Sequence, residues 1–191
     1  MDIDDEKRRL RARFRSLRRD LTADGGPALA GYLVAGLTLL ELEPGRDAAA
    51  GYWPMDGEAD IRPAMELLAA KGFATALPVV AKPGSPLLFR AWRPSEALRR
   101  GPHGASEPLE DAPEVEPTLI LLPLVAFDGL GFRLGMGGGY YDRTLAALRA
   151  RRRVVAVGVG HGRQRVDRLP CDRHDQPLDW VLTEEGLEKT P

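Results

Sequence analysis

Residues 118–143 read Thr118-Leu-Ile-Leu-Leu-Pro-Leu-Val-Ala-Phe-Asp-Gly-Leu-Gly-Phe-Arg-Leu-Gly-Met-Gly-Gly-Gly-Tyr-Tyr-Asp-Arg143. Thr118 to Leu122 form an apolar run of the kind that makes a central parallel strand, covered on both faces. Glycines follow, and a helix is expected from about Tyr140 to Ala150, closed by the basic run Arg149 to Arg153. A buried strand feeding a glycine turn and then a helix is the repeating unit of an α/β sheet. The same alternation extends outward. Val154–Val159 reads as a second buried strand, and Trp180–Leu182 as a short last one. Upstream, Asp47–Trp53, Phe73–Val80 and Leu87–Trp92 are strand candidates. Asp60 caps a helix with Pro63 in its first turn, which Gly72 stops after Lys71. Pro27–Leu40 is apolar nearly all round and reads as a buried helix. The expected fold class is α/β, a mainly parallel sheet with helices on both faces. Ligands of such sheets bind at the C-terminal ends of the strands.

Residues 93–117 interrupt this alternation with five prolines and a cluster of acids. They read as a long connection with at most one short helix, around Glu96–Arg100. The alternation resumes afterwards, so 1–191 is expected to be a single domain. Lys and Arg total 27 and Asp and Glu total 28, a net charge of -1. That excludes a globally basic nucleic-acid binder as the default. No apolar run reaches the ~18–20 residues of a membrane span. The acidic start, Asp2-Ile-Asp-Asp-Glu6, lacks the order of a secretory signal, and Cys171 is the sole cysteine. These features point to a cytoplasmic protein.

The chemistry gathers around the glycines. Gly135, Gly137, Gly138 and Gly139 leave backbone N–H groups open at a helix start, where phosphate binds readily. Arg133 could clamp phosphate oxygens with its planar fork, and Asp142 could hold Mg²⁺ against them. The loop has no Gly-Lys-Ser/Thr ending and does not match Gly-x-Gly-x-x-Gly. A tight turn with close helix–sheet packing is the competing reading. Tyr140 and Tyr141 could be core, or could stack on a ring. The N-terminal segment adds a second cluster. Leu10, Phe14, Leu17 and Leu21 make one apolar helix stripe, with Asp4 or Asp5 as its cap. Lys7, Arg11, Arg15 and Arg18 run along its flank, at the rim where the helix meets the body. They are either a solvated basic face or, for Lys7 and Arg11, a pair reaching toward an anion. Cys171 and His174 resemble half of a metal site, and without a second pair they read as a plain turn.

The run Arg133-Leu-Gly-Met-Gly-Gly-Gly-Tyr-Tyr-Asp142 resembles the hallmark Arg-Leu-Gly-x-Gly-x-Gly-Tyr-Tyr-Asp of the 5-formyltetrahydrofolate cyclo-ligases, also called 5,10-methenyltetrahydrofolate synthetases. Other pieces are similar in order and spacing. They are Lys7-Arg-Arg-Leu-Arg11, Glu58 after Tyr52-Trp-Pro54, Glu107-Pro108, Gln164, His174-Asp175 and Thr183-Glu184. The likeness runs from about residue 7 to 185. It departs where some relatives carry basic residues at Met136 and Gly138, and where His161 stands near a usual aromatic position.

The resemblance implies a Rossmann-like three-layer sandwich and an ATP- and Mg²⁺-dependent ligase. Such an enzyme turns 5-formyltetrahydrofolate into 5,10-methenyltetrahydrofolate, releasing ADP and phosphate. Carried over by position, Lys7, Arg11 and Arg133 would hold ATP phosphates, with Leu134, Gly135, Met136, Gly137, Gly138, Gly139, Tyr140 and Tyr141 lining the nucleotide. Trp53, Glu58 and Met136 to Tyr140 would border the folate. Arg133 and Tyr140 would stand next to the reacting atoms. Asp142, and less directly Asp175, would hold Mg²⁺. The implied partners are small molecules, with neither nucleic acid nor membrane, and a monomer is expected. Two other readings stay open: a sugar-phosphate isomerase or CoA-transferase relative on the same sort of sheet, and a non-catalytic folate or nucleotide binder.

Overall fold

The computed structural model describes residues 2–21 and 26–191. Helix α1 spans Ile3–Asp20 and α2 spans Gly26–Ala35. Strand β1 (Ala48–Ala50), helix α3 (Arg62–Ala70), β2 (Ala74–Val79) and β3 (Leu88–Ala91) follow. Two short strands, β4 (Leu98–Arg100) and β5 (Ser106–Pro108), precede β6 (Leu119–Pro123). Then come β7 (Ala126–Asp128), β8 (Arg133–Leu134), α4 (Tyr140–Arg149) and β9 (Val155–Val159). The chain closes with β10 (Arg165–Val166), β11 (Trp180–Thr183) and β12 (Gly186–Lys189).

Seven strands form the central sheet in the order β12-β11-β9-β6-β1-β2-β3. The five inner strands are parallel, and β12 and β3 add antiparallel edges. Renumbered by chain order, the parallel strands run 2-1-3-4-5, a doubly wound arrangement. Successive side chains of β6 point to opposite faces. Leu119 and Leu121 join the layer of Leu33, Met65 and Leu68 from α2 and α3, while Ile120 and Leu122 join Leu145 and Leu148 of α4. Leu119 to Leu122 are fully buried between these two layers, which is why β6 carries no polar residue. Helices thus cover both faces, as the alternation implied. The apolar stripe of α1 does not face the large sheet. Phe14, with Leu10 and Leu17 beside it, packs on Val125, Ala126, Leu134 and Leu169 around the small sheet β10-β7-β8.

Several expectations need correction. Residues Glu96–Arg100 do not form a helix. Leu98–Arg100 pairs antiparallel with Ser106–Pro108, because Arg99 finds an ion-pair partner across the ladder in Glu107 at 3.1 Å. That partner is eight residues away, beyond the reach of local helix pairs. Helix α2 ends at Ala35 rather than Leu40, and the chain continues as tight turns. It is also less buried than its composition suggests, with Tyr32 43% exposed on the outer face and Leu39, beyond its end, 67%. The first strand is confined to Ala48–Ala50, which leaves Tyr52 and Trp53 beyond its C-terminal end. Asp2 occupies the cap position of α1, with Asp4 and Asp5 in the first turn where they face the positive dipole end. The small sheet and β12 have no counterpart in the sequence reading. Their strands are two to four residues long, too short for a period-2 pattern.

Candidate functional site

The order of strand addition reverses between β1 and β6: β2 lies on one side of β1, and β6, β9 and β11 on the other. A doubly wound sheet opens a crevice at such a point, beyond the carboxyl ends of the two strands. Here the crevice is a cavity of about 800 Å³, near the top of the usual range for small-molecule sites. Tyr52 and Trp53, just past β1, and Pro123 and Leu124, at the end of β6, form its floor. The loop from Gly135 to Gly139, the start of α4, the inner flank of α1, the turn 172–176, the end of β2 and the β4–β5 hairpin form the wall.

The glycine loop sits where its conformation demands glycine. Gly139 precedes α4 in the left-handed region (φ 64°), and Gly137 has φ 101°. A Cβ on Gly137 would come within 3.4 Å of the Arg11 guanidinium carbon. The loop therefore lets α1 approach its backbone, and Arg11 Nε donates to the Gly135 carbonyl at 3.0 Å.

Each cation of the inner wall is held differently. Lys7 is buried, and its Nζ donates to Asp175 Oδ2 at 2.6 Å and to Asp172 Oδ2 at 2.9 Å. Burial works against its charge, but the hydrogen bonds and charges of Asp175 and Asp172 outweigh it and hold its pKa above the ordinary lysine value. Arg133 has a side chain only 5% exposed. Its Nη2 donates to Asp142 Oδ1 at 2.9 Å and its Nη1 to the Gln176 carbonyl at 2.8 Å. Gln176 N–H closes the loop by donating to the same Asp142 oxygen at 3.1 Å. Arg18 is buried, not at the rim. It donates through Nε to the Asp56 carbonyl and lies 3.4 Å from Glu58 Oε1 and from the Leu124 carbonyl. Arg15 is exposed and is not part of the cavity wall.

Glu58 sits in a turn where its Oε2 accepts the Met55 N–H at 3.1 Å. Burial pushes its carboxyl pKa up by more than Arg18 and the Met55 N–H pull it down. Tyr52 and Tyr141 are raised well above the ordinary phenol range, chiefly by burial and then by the Glu58 charge. Tyr52 donates its hydroxyl to the Ala59 carbonyl at 2.8 Å. Trp53 stands edge-on to Trp92, with ring centroids 5.8 Å apart.

The cavity wall brings together the residues to which the resemblance gives a ligand or metal role: Lys7, Arg11, Trp53, Glu58, Arg133 through Asp142, and Asp175. It adds others the sequence reading did not weigh as site residues, including Asp4, Arg18, Glu107, Arg143 and Asp172. Arg18 carried a usable signal, being seven residues beyond Arg11 on one helix flank. Glu107 is 1% exposed and binds the Val80 N–H at 3.0 Å and Arg99, contacts no local pattern announces. Cys171 and His174 stay apart from any cluster. Among the described residues no group of three or more His, Cys, Asp or Glu could hold a metal. Residues 172–175 instead close a turn in which Asp172 accepts the His174 N–H at 2.8 Å.

Asp142 faces the cavity with its carboxylate 25% exposed and one oxygen shared by Arg133 and Gln176. Asp175 is committed to Lys7 and to the Asp172 N–H. This donor set fits an ion that arrives on phosphate oxygens and takes a single wall carboxylate, the usual habit of Mg²⁺, better than a dedicated cage.

The chain is similar to known proteins over most of its length. The chain is 32% identical over 184 residues to the 5-formyltetrahydrofolate cyclo-ligase of Haemophilus influenzae, covering 93% of this chain and 97% of that one. It is 40% identical over 134 residues to the enzyme of that name from Escherichia coli K12, covering 67% and 72%. The NMR structure of Aquifex aeolicus 5,10-methenyltetrahydrofolate synthetase superposes with a TM-score of 0.73 at 30% identity, over 96% of this chain and 92% of that one. The Mycoplasma pneumoniae 5,10-methenyltetrahydrofolate synthetase shares the fold, with a TM-score of 0.71 at 23% identity over 94% of this chain and 99% of that one. A model of the 5-formyltetrahydrofolate cyclo-ligase family matches residues 3–184, the span that holds all the elements building the cavity, and the chain belongs to that family.

Proposed function

We propose that this protein is an ATP- and Mg²⁺-dependent 5-formyltetrahydrofolate cyclo-ligase, yielding 5,10-methenyltetrahydrofolate, ADP and phosphate. One observation carries the reading. Lys7 and Arg11 of α1, and Arg133 of β8 more than a hundred residues further along the sequence, line one cavity at the switch point together with the glycine loop and the start of α4, and Arg11 bonds the loop directly. Backbone donors, a positive helix end and converging cations suit a polyphosphate.

The chemistry needs little more. The formyl oxygen attacks the γ-phosphorus and ADP leaves. Folate N10 then adds to the activated formyl carbon, the C–O bond breaks to expel phosphate, and the N10 proton is lost. Phosphoryl transfer of this kind depends on alignment and charge neutralisation rather than on a protein nucleophile. Lys7, Arg11 and Arg133 would hold the phosphates, and Arg133, fixed by Asp142 and the Gln176 carbonyl, would face the transferring group. Gly135 to Tyr141 would cover the nucleotide. Trp53, Glu58 and the Met136–Tyr140 edge would border the folate, with Tyr140 beside the reacting atoms. Mg²⁺, held by Asp142 and the phosphates, would offset charge on the transferring oxygens. The apolar clusters adjoin along β6 and β7, which supports residues 1–191 as one domain. Its partners would be these two small molecules, and its compartment the cytoplasm.

The test mixes the protein with 5-formyltetrahydrofolate and Mg²⁺, with and without ATP, and follows the methenyl absorbance. A rise that needs both ATP and protein is expected. A folded protein giving no rise would overturn the reading, and turnover without nucleotide would favour an isomerase or transferase instead.

A further inference from the structure

We infer that Arg143 is a further phosphate-binding residue of this cavity, one that grips the polyphosphate of the nucleotide; the inference rests on the ATP reading above. Arg143 belongs to the first turn of α4, yet its side chain folds back over the preceding loop. Its Nη2 donates to the Gly138 carbonyl at 2.6 Å, and its guanidinium carbon lies 5.2 Å from the centre of the Tyr140 ring. Its Nη1 is 2.7 Å from where a Cβ on Gly139 would stand.

Three facts make this an odd resting place for a cation without an anion. The N-terminus of α4 already carries partial positive charge, which disfavours a second positive group. Lys7, Arg18 and Arg133 each have a carboxylate beside them, whereas among the described residues none pairs with Arg143. Its Nε is buried and has no hydrogen-bond partner. Buried donors are normally satisfied, so this one calls for an explanation, which a guanidinium that turns toward a ligand oxygen provides.

The loop explains the need. From Gly135 to Gly139 the one side chain is that of Met136, so the loop offers N–H groups but no charge of its own. Arg11 lies against Gly137 and Arg143 against Gly138 and Gly139, so the two guanidinium groups bracket the stretch that would cradle phosphate. Arg143 is free to turn its planar fork to phosphate oxygens without breaking an ion pair.

The experiment compares equilibrium affinities for ATP and AMP in the wild type, Arg143→Ala and Arg143→Lys, with folding checked by circular dichroism. Arg143→Ala should weaken ATP by about tenfold or more, as expected for a lost charge-assisted bond, while AMP changes by less than about twofold. Arg143→Lys should recover part of the loss, and it carries the test if the alanine variant does not fold. A side chain that merely props the loop would weaken both nucleotides alike, so an unchanged ATP-to-AMP ratio overturns the proposal. A wild-type protein that binds ATP no better than AMP would instead sink the polyphosphate reading on which it rests.

Discussion

Asp142 holds one oxygen between two donors, the Arg133 guanidinium at 2.9 Å and the Gln176 N–H at 3.1 Å. Replacing it by asparagine keeps the shape and removes the charge that fixes a nearly buried arginine. We expect Asp142→Asn and Arg133→Ala each to lower ATP-dependent turnover by roughly a hundredfold or more, the scale of losing a preorganised charge contact. Loss of the buried pairing should cost about 1–3 kcal/mol of stability. Steady-state rates beside denaturant melts separate the two effects, and full activity in both variants would refute these assignments. Glu58 makes a different prediction. Its folded pKa lies above the ordinary carboxylate value because burial penalises the charge. Below that ordinary value both folded and unfolded chains hold the proton, and the group adds no pH dependence. As pH climbs from there through the raised pKa, the unfolded chain releases its proton first, so stability falls. Glu58→Gln cannot ionise and should lack this fall. Melting temperatures of the two proteins from about pH 4 to 7 should therefore shift in favour of the variant as pH rises. A constant difference would contradict the burial argument.

The glycine loop and α4 act as one element. The chain can turn from β8 into α4 because Gly139 takes a left-handed conformation that an L side chain rarely adopts. Gly139→Ala should cost about 1–2 kcal/mol from backbone strain alone. The new methyl would also collide with the Arg143 guanidinium and push it off the loop. A fall in melting temperature of a few degrees is expected for a chain of this size, with a disproportionate rise in the KM for ATP. An unaltered KM would mean that the loop conformation does not position the nucleotide. This element was the most legible part of the sequence, since strand, glycines and helix follow within a single stretch. Residues 93–117 were the least legible. Their β4–β5 ladder depends on Arg99 meeting Glu107, and the buried Glu107 carboxylate is further held by the Val80 N–H just past β2.

At the scale of the molecule, β6 is the shared wall of two buried apolar layers, and its residues decide whether both can close. Leu121 is fully buried toward α2 and α3. Leu121→Ala should cost about 2–5 kcal/mol, measured as a lower denaturation midpoint with an unchanged slope. A cost below about 1 kcal/mol would mean that the layer repacks around the void. The sequence by itself determined the parts whose cause is local. Apolar runs specified the inner strands, glycine and proline specified the turns, and the Arg133–Asp142 stretch specified the glycine turn into α4 that walls the cavity, because each depends on neighbours a few residues away. What only the tertiary structure decided is what depends on meeting at a distance. Strand order placed the crevice between β1 and β6, the docking of α1 on the small sheet buried Arg18 and brought Lys7 to Asp172 and Asp175, and the fold-back of Arg143 followed from the shape of the loop beneath it. These contacts join residues up to 168 positions apart, and their energy exists only once the sheet has set the distance between them.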